Sequence, residues 1–140
     1  MMRLIGRLLK SSEGTAALEF ALVGPVLLVL IVVIPAGAVV LWARGVVELA
    51  ASQTARCTAI GVTACTNDPT TYATNVIRDW GMAGIVSSVS AVSTAKTTCS
   101  NATGLYSSVT VTGIAGIGGS STMPFTSVTL TASACYPSGT

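Results

Sequence analysis

The strongest pattern along the chain is an apolar block near its N-terminal end. From Phe20 to Ala43 no residue is charged, and Val26 to Ile34 is an unbroken aliphatic run. About 20 apolar residues cross a hydrocarbon core roughly 30 Å thick. In lipid the backbone must satisfy its own hydrogen bonds, so the block predicts a membrane helix from about Thr15 to about Trp42. Pro25 and Pro35 lie inside it, and membrane helices tolerate such interruptions. Beyond Trp42 the three- and four-residue spacing continues. Val46, Leu49 or Ala50, Gln53, Cys57 and Ile60 share one face, and Arg44, Glu48, Ser52 and Arg56 share another. Unbroken from Thr15 to Ile60, the helix would measure about 69 Å at 1.5 Å per residue. That is more than twice the bilayer core, so its outer part must pack on something other than lipid.

Further along, Asn67-Asp68-Pro69 predicts a turn, with Asp68 or Thr70 as a helix cap. A second helix is expected from about Pro69 to Ala83, with Tyr72, Val76 and Trp80 on one face and Gly81 and Gly84 ending it. The period then changes to two. Val109–Thr112 and Val128–Ala132 alternate apolar and polar residues as half-buried strands do, and a weaker strand covers Ile85 to Val92. Gly113 to Thr122 reads as a flexible connection. Cys135 falls on the opposite parity from Val128 and Leu130. A bulge or an earlier strand end is needed if it is to face the core. The fold class is therefore α+β: a long helix extending past the bilayer, then a small domain with a second helix and a Val/Thr-rich antiparallel sheet. The expected segments are a leader 1–14, a membrane helix 15–43, a helical extension 44–65 and an outer α+β domain 66–140.

Composition sharpens this picture. Hydrophobic residues make up 51% of the 140, and only 9% are charged, against about 25% in ordinary soluble domains. The net charge of +2 comes with no basic stripe, which gives no reason to expect nucleic-acid binding. Arg3, Arg7 and Lys10 precede the apolar block, a bias that keeps the N-terminus cytoplasmic and sends the remainder across the membrane.

The chain has no histidine, which excludes imidazole-based triads and histidine metal sites within it. Cys57, Cys65, Cys99 and Cys135 include no CxxC pair and suggest two disulfides rather than a zinc site. Three connectivities are open. Cys57–Cys65 with Cys99–Cys135 is preferred, because the first pair closes a short loop at a helix end.

The residues at the membrane entry, Glu13-Gly14-Thr15-Ala16-Ala17-Leu18-Glu19-Phe20, carry the functional signal. A basic leader ends in Gly14, a small residue follows, and Glu19 is the fifth residue beyond the glycine. This resembles the prepilin-peptidase site of type IV pilin-like proteins, and GTAALEFALVGPVLL is similar to the TadE family of pseudopilins from Tad/Flp pilus systems. The resemblance is strong over Gly14–Leu28 and only architectural beyond. It implies cleavage between Gly14 and Thr15, insertion in the bacterial inner membrane, and a periplasmic C-terminal domain. It further implies a role in priming or tipping a pilus for adhesion or secretion. The implied partners are the prepilin peptidase, a TadF-like pseudopilin, the Flp major pilin and the inner-membrane assembly platform with its cytoplasmic ATPase. No cofactor is implied.

Glu19 supports the same reading on physical grounds. A charge at the centre of a membrane helix costs on the order of 2.5–3.5 kcal/mol, and less near an end. After cleavage the new amine of Thr15 would lie at the same membrane edge. A carboxylate of one subunit, with Phe20 beside it, can then pair with the amine of a neighbour and set an assembly register. Loss of residues 1–14 would leave four basic side chains (Arg44, Arg56, Arg78, Lys96) and four acidic ones (Glu19, Glu48, Asp68, Asp79). No constellation for catalysis is visible, and the chain is not expected to be an enzyme. The competing readings are a shaft-forming pilin and a secreted or membrane-anchored binding domain outside any pilus. For the secreted case, Ala36-Gly37-Ala38 is similar to a signal-peptidase site.

Overall fold

The structure, a computed structural model, describes residues 13–116 and 127–138. The basic leader residues Arg3, Arg7 and Lys10 lie outside them, as does most of the expected connection up to Thr122. The elements in order are α1 (Glu13–Ile60), α2 (Thr63–Asn67), α3 (Pro69–Asp79), β1 (Val86–Cys99), β2 (Ala102–Ala115) and β3 (Val128–Pro137). The chain forms two compact units, 1–38 and 39–140.

Helix α1 runs 48 residues with Pro25 and Pro35 inside it, about 72 Å of helix at 1.5 Å per residue. The expected continuation to Ile60 is therefore present. In the first unit, every aliphatic side chain from Leu18 to Ile34 is about half exposed or more, down to 49% at Leu30. Nothing within the unit covers these residues.

In the second unit, the C-terminal part of α1, helix α3 and the sheet share one core. From α1 it takes Ala43, Val46, Val47, Ala50, Ala51 and Ala55; from α3, Ala73, Val76 and Ile77; from the strands, Val86, Ala91, Val109, Val111, Ala115, Leu130 and Ala132. The stripe on α1 is rotated from the expected one. Gln53 and Ile60 are exposed, and the fully buried Thr54 takes the place assigned to Gln53. Thr54 fits because its hydroxyl donates to the Ala50 carbonyl at 2.7 Å, which satisfies the polar group within the helix. Small residues dominate the stripe and let the helix backbone approach its neighbours closely. The polar face of Arg44, Glu48, Ser52 and Arg56 is exposed as expected.

After Ile60, Gly61 adopts φ +79° and ends α1 short of the expected extension to residue 65; the short α2 follows as a separate helix. Helix α3 begins on Pro69 with Asp68 as its cap and ends at Asp79, earlier than the expected Ala83. Gly81 at φ +74° reverses the chain. Trp80 is the C-cap and half exposed, so the buried face is Ala73, Val76 and Ile77, with Tyr72 half-buried.

The three strands form one antiparallel sheet in the order β1-β2-β3. All extend further than their alternating patterns suggested. Gly113 to Ala115 belong to β2 rather than to a connection, because Ala115 still pairs with Val128 and Val86. The β1–β2 hairpin turns on Ser100 and Asn101, both at positive φ, as a two-residue hairpin demands. Opposite Gly113, the β1 register shifts between Ser87 and Ser90, so two residues of β1 face one of β2, a β-bulge. Ser88 within it adopts φ +52°. A Cβ on Gly113 would lie 2.8 Å from Val86 Cγ1, so the close approach requires glycine here.

Cys135 needs neither of the devices proposed for it. The β2–β3 register runs unshifted to Pro137, and Cys135 faces away from the core to bond Cys99.

Candidate processing and assembly site

Gly14 and Thr15 lie in the first turn of α1; their side chains are outside the described part. Glu19 and Phe20 follow one turn on, and both are exposed, Phe20 at 77%. A Cβ built on Gly24 would meet the Phe20 ring at 3.7 Å, so the ring lies along the helix toward its i+4 neighbour. Glu19 is thus the only acidic side chain described before Glu48, in a stretch of helix whose large apolar side chains, from Leu18 to Ile34, are all exposed. The four residues assigned to processing and assembly share two turns of one helix.

The next charges belong to the second unit. Arg44 Nε donates to Glu48 Oε1 at 3.2 Å across one exposed turn, a pair worth only a few tenths of a kcal/mol, roughly. Beyond Arg56 comes Cys57, bonded to Cys65 with Cα atoms 6.1 Å apart; Cys99 bonds Cys135 at 6.3 Å. The preferred connectivity is the one observed. The first bond ties the end of α1 to α2, and the second ties the end of β1 to β3.

Other interactions fix α1 and α3 to the sheet. The Thr58 and Ser107 hydroxyls are 2.7 Å apart. Thr70 Oγ1 donates to the Ala91 carbonyl at 3.3 Å and accepts from its amide at 3.2 Å. Asp68 caps α3, accepting from the Thr71 hydroxyl at 2.6 Å and the Thr71 amide at 3.0 Å. Those two bonds, with a weaker one from the Thr70 amide, hold its carboxyl below the ordinary aspartate value. Sequence reasoning passed over Thr58 and Thr70 as strap residues, because a threonine that bonds a distant strand carries no local signal.

Two shallow pockets open on the second unit. One, of about 280 Å³, is lined by hydroxyl-bearing residues including Thr58, Ser93, Tyr106 and Ser107. The other, of about 370 Å³, lies beside Cys57 and includes Gln53, Arg56 and Tyr72. Neither contains an acid–base pair. Among the described residues no three His, Cys, Asp or Glu side chains cluster as metal ligands do.

Comparison with known families places the signal on the same segment. The family model of the TadE-like protein matches residues 14–56. This segment is TadE-like. The match opens at Gly14 and closes one residue before Cys57, so it covers the apolar helix and its extension; the sheet lies beyond it. TadE-like proteins are a structural, pilin-type family associated with Tad systems, and the resemblance read from Gly14–Leu28 is the one the comparison returns. Neither the curated proteins nor the solved structures contain a match to the chain. The TadE-like segment includes one helix that is long and apolar enough to cross a membrane, as single-pass anchoring requires.

Proposed function

We propose that this protein is a TadE-like minor pilin, cleaved by a prepilin peptidase between Gly14 and Thr15 and used to prime or tip a Tad pilus. The observation that carries the reading is Glu19. It is a lone carboxylate five residues beyond Gly14, on the stretch of helix whose large apolar side chains, from Leu18 to Ile34, are all exposed, within a segment matched as TadE-like. A side chain of this kind is costly when it faces lipid alone and useful when a neighbouring helix brings a cation. Cleavage creates that cation as the amine of Thr15. The carboxylate of one subunit then meets the amine of the next, and the apolar faces of the helices pack on each other as they leave the bilayer.

In this reading the leader stays in the cytosol and the second unit folds in the periplasm, where its disulfides can form. Its partners are the peptidase, a TadF-like pseudopilin, the Flp major pilin and the assembly platform. The sheet-bearing second unit favours a minor pilin over a shaft subunit, since a shaft pilin of this class needs little beyond the helix.

The test is the mature N-terminus, read by mass spectrometry in cells with and without prepilin peptidase. Thr15 should be the first residue only where the peptidase is present. A start at Val39 would instead reveal signal peptidase, and an intact leader a simple anchor. Glu19→Ala should still be inserted and cleaved yet fail to support pili; normal piliation by that variant would remove the amine-pairing role.

A further inference from the structure

Contacts inside the second unit fix which of its ends lies beside the start of its helix. At one end the Thr58 hydroxyl meets that of Ser107 on the sheet. Ala43 lies about 22 Å earlier in α1 at 1.5 Å per residue, and it is fully buried. The sheet can bury it only on the side of Ser107 that leads to Ala115, because on the hairpin side Thr97, Thr98 and Ala102 to Leu105 are exposed. From Ser107 to Ala115 the strand covers about 27 Å. Ala43 therefore sits toward the end where Val86, Ala115 and Val128 pair. Helix α3 runs to the same end. Tyr72 stands beside Gln53, Arg56 and Cys57, and Trp80 caps the helix about 12 Å further on. Gly81 reverses the chain, and the Val86 amide donates to the Met82 carbonyl at 2.9 Å, so β1 starts within one turn of Trp80.

The chain enters this end from the apolar block. No residue from Phe20 to Ala43 is charged, and Arg44 is the first charge beyond, so a bilayer surface crosses α1 near Trp42. The end of the second unit beside Trp42 is thus held at that surface by the chain itself, and its residues suit the place. The protein has two tryptophans. Trp42 and Trp80 are 57% and 51% exposed, and both lie at this end. Tryptophan favours the membrane interface, where its apolar ring and its N–H are both satisfied. Ile114 and Val128 are exposed at the end of the sheet, and no residue from Trp80 to Ala95 is charged. The opposite end also exposes Ile60 and Leu105. It carries no tryptophan, however, and Ile60 is about 27 Å along α1 from Trp42, whereas a headgroup layer is only about 5–7 Å deep.

We propose that this end of the second unit docks on the lipid surface of the membrane that holds α1, with Trp80 and Ile114 in the headgroup layer beside Trp42. The inference rests on the membrane anchoring of α1 and is independent of cleavage and piliation. A lone helix leaves an outer unit free to tilt about its point of exit. An interfacial tryptophan on a second element fixes that tilt.

The experiment is tryptophan quenching in the full chain, reconstituted in vesicles of phosphatidylethanolamine and phosphatidylglycerol that carry a spin label on the lipid headgroup. Trp42→Phe and Trp80→Phe each leave one indole. Trp80 should lose emission to within about twofold of the loss shown by Trp42, and lose less to a label at the acyl-chain ends. With both tryptophans replaced by phenylalanine, Ile60→Trp should ignore the lipid label and be quenched by aqueous iodide. Ile114→Glu, on the face of the sheet away from the core, should at least halve the Trp80 loss and leave that of Trp42 unchanged, with Cys57–Cys65 and Cys99–Cys135 still mapped by mass spectrometry. An unquenched Trp42 would remove the membrane anchoring and the proposal with it. A quenched Trp42 with an unquenched Trp80 overturns the proposal alone. So does Ile60→Trp quenched by the lipid label as strongly as Trp80, or a Trp80 loss indifferent to Ile114→Glu.

Discussion

The hydroxyl of Thr70 holds the amide and the carbonyl of Ala91 at once, at 3.2 and 3.3 Å. A single side chain from the first turn of α3 thus stands in for a neighbouring strand at that point of β1. Thr70→Val keeps the shape and removes both bonds, leaving two strand groups without partners. The expected loss is about 1–3 kcal/mol, measured by denaturation of the detergent-solubilised chain. Hydrogen exchange at the Ala91 amide should accelerate more than at the other β1 amides.

Gly113 faces the β1 bulge, and an added Cβ would meet Val86 Cγ1 at 2.8 Å. Val86 is 4% exposed and β-branched, so it has little room to move. Gly113→Ala should destabilise the second unit by about 1–3 kcal/mol, the usual cost of overpacking. Gly104→Ala meets only the Tyr106 ring, at 3.3 Å, and should cost less in the same thermal melt.

The disulfides differ in the length of chain they close. Cys99–Cys135 spans a separation of 36 and Cys57–Cys65 one of 8. In the chain-entropy model these stabilise by about 3.8 and 2.5 kcal/mol. Replacing Cys99 and Cys135 together by serine should therefore lower the unfolding midpoint further than replacing Cys57 and Cys65. Equal losses would mean that the strain or packing at one bond outweighs loop length.

Asp68 couples the start of α3 to pH. Its folded-state carboxyl is held below the ordinary value by the Thr71 hydroxyl, then by the Thr71 amide. The stabilisation is present above the unfolded value, near pH 3.9, and is lost as pH falls through the lower folded value. Thermal midpoints should drop for the native chain on acidification below about pH 4. Asp68→Asn keeps a capping side chain, and its midpoint should change less over the same interval.

Much of this was legible in the sequence, for physical reasons that differ by element. The apolar run of α1 could only be a helix in lipid, and Gly14, Thr15 and Glu19 form a local pattern that needs no tertiary structure to be read. The α3 start was legible because Asp68 and Pro69 act on their immediate neighbours. Its end was not: the Tyr72–Val76–Trp80 spacing carried the buried face on to Trp80, whereas the core takes Val76 together with Ala73 and Ile77 and leaves Trp80 exposed. The α1 stripe was misplaced in the same way. Gln53 and Thr54 are both polar, and only the bond from Thr54 to Ala50 makes the latter fit for burial. The end of β2 was missed because Gly113 looks like a loop residue until its partner Leu130 on the neighbouring strand is known.

The Cys99–Cys135 bond has a mechanical consequence as well. A chain pulled from its two ends can lengthen only along residues outside its covalent rings. That bond withholds a separation of 36 residues, about 120–130 Å of contour at 3.3–3.6 Å each. All of β2 and most of β3, from Val128 to Ala134, lie inside the ring. However far the rest of the second unit is drawn out, this part stays a closed loop and transmits tension from one sulfur to the other.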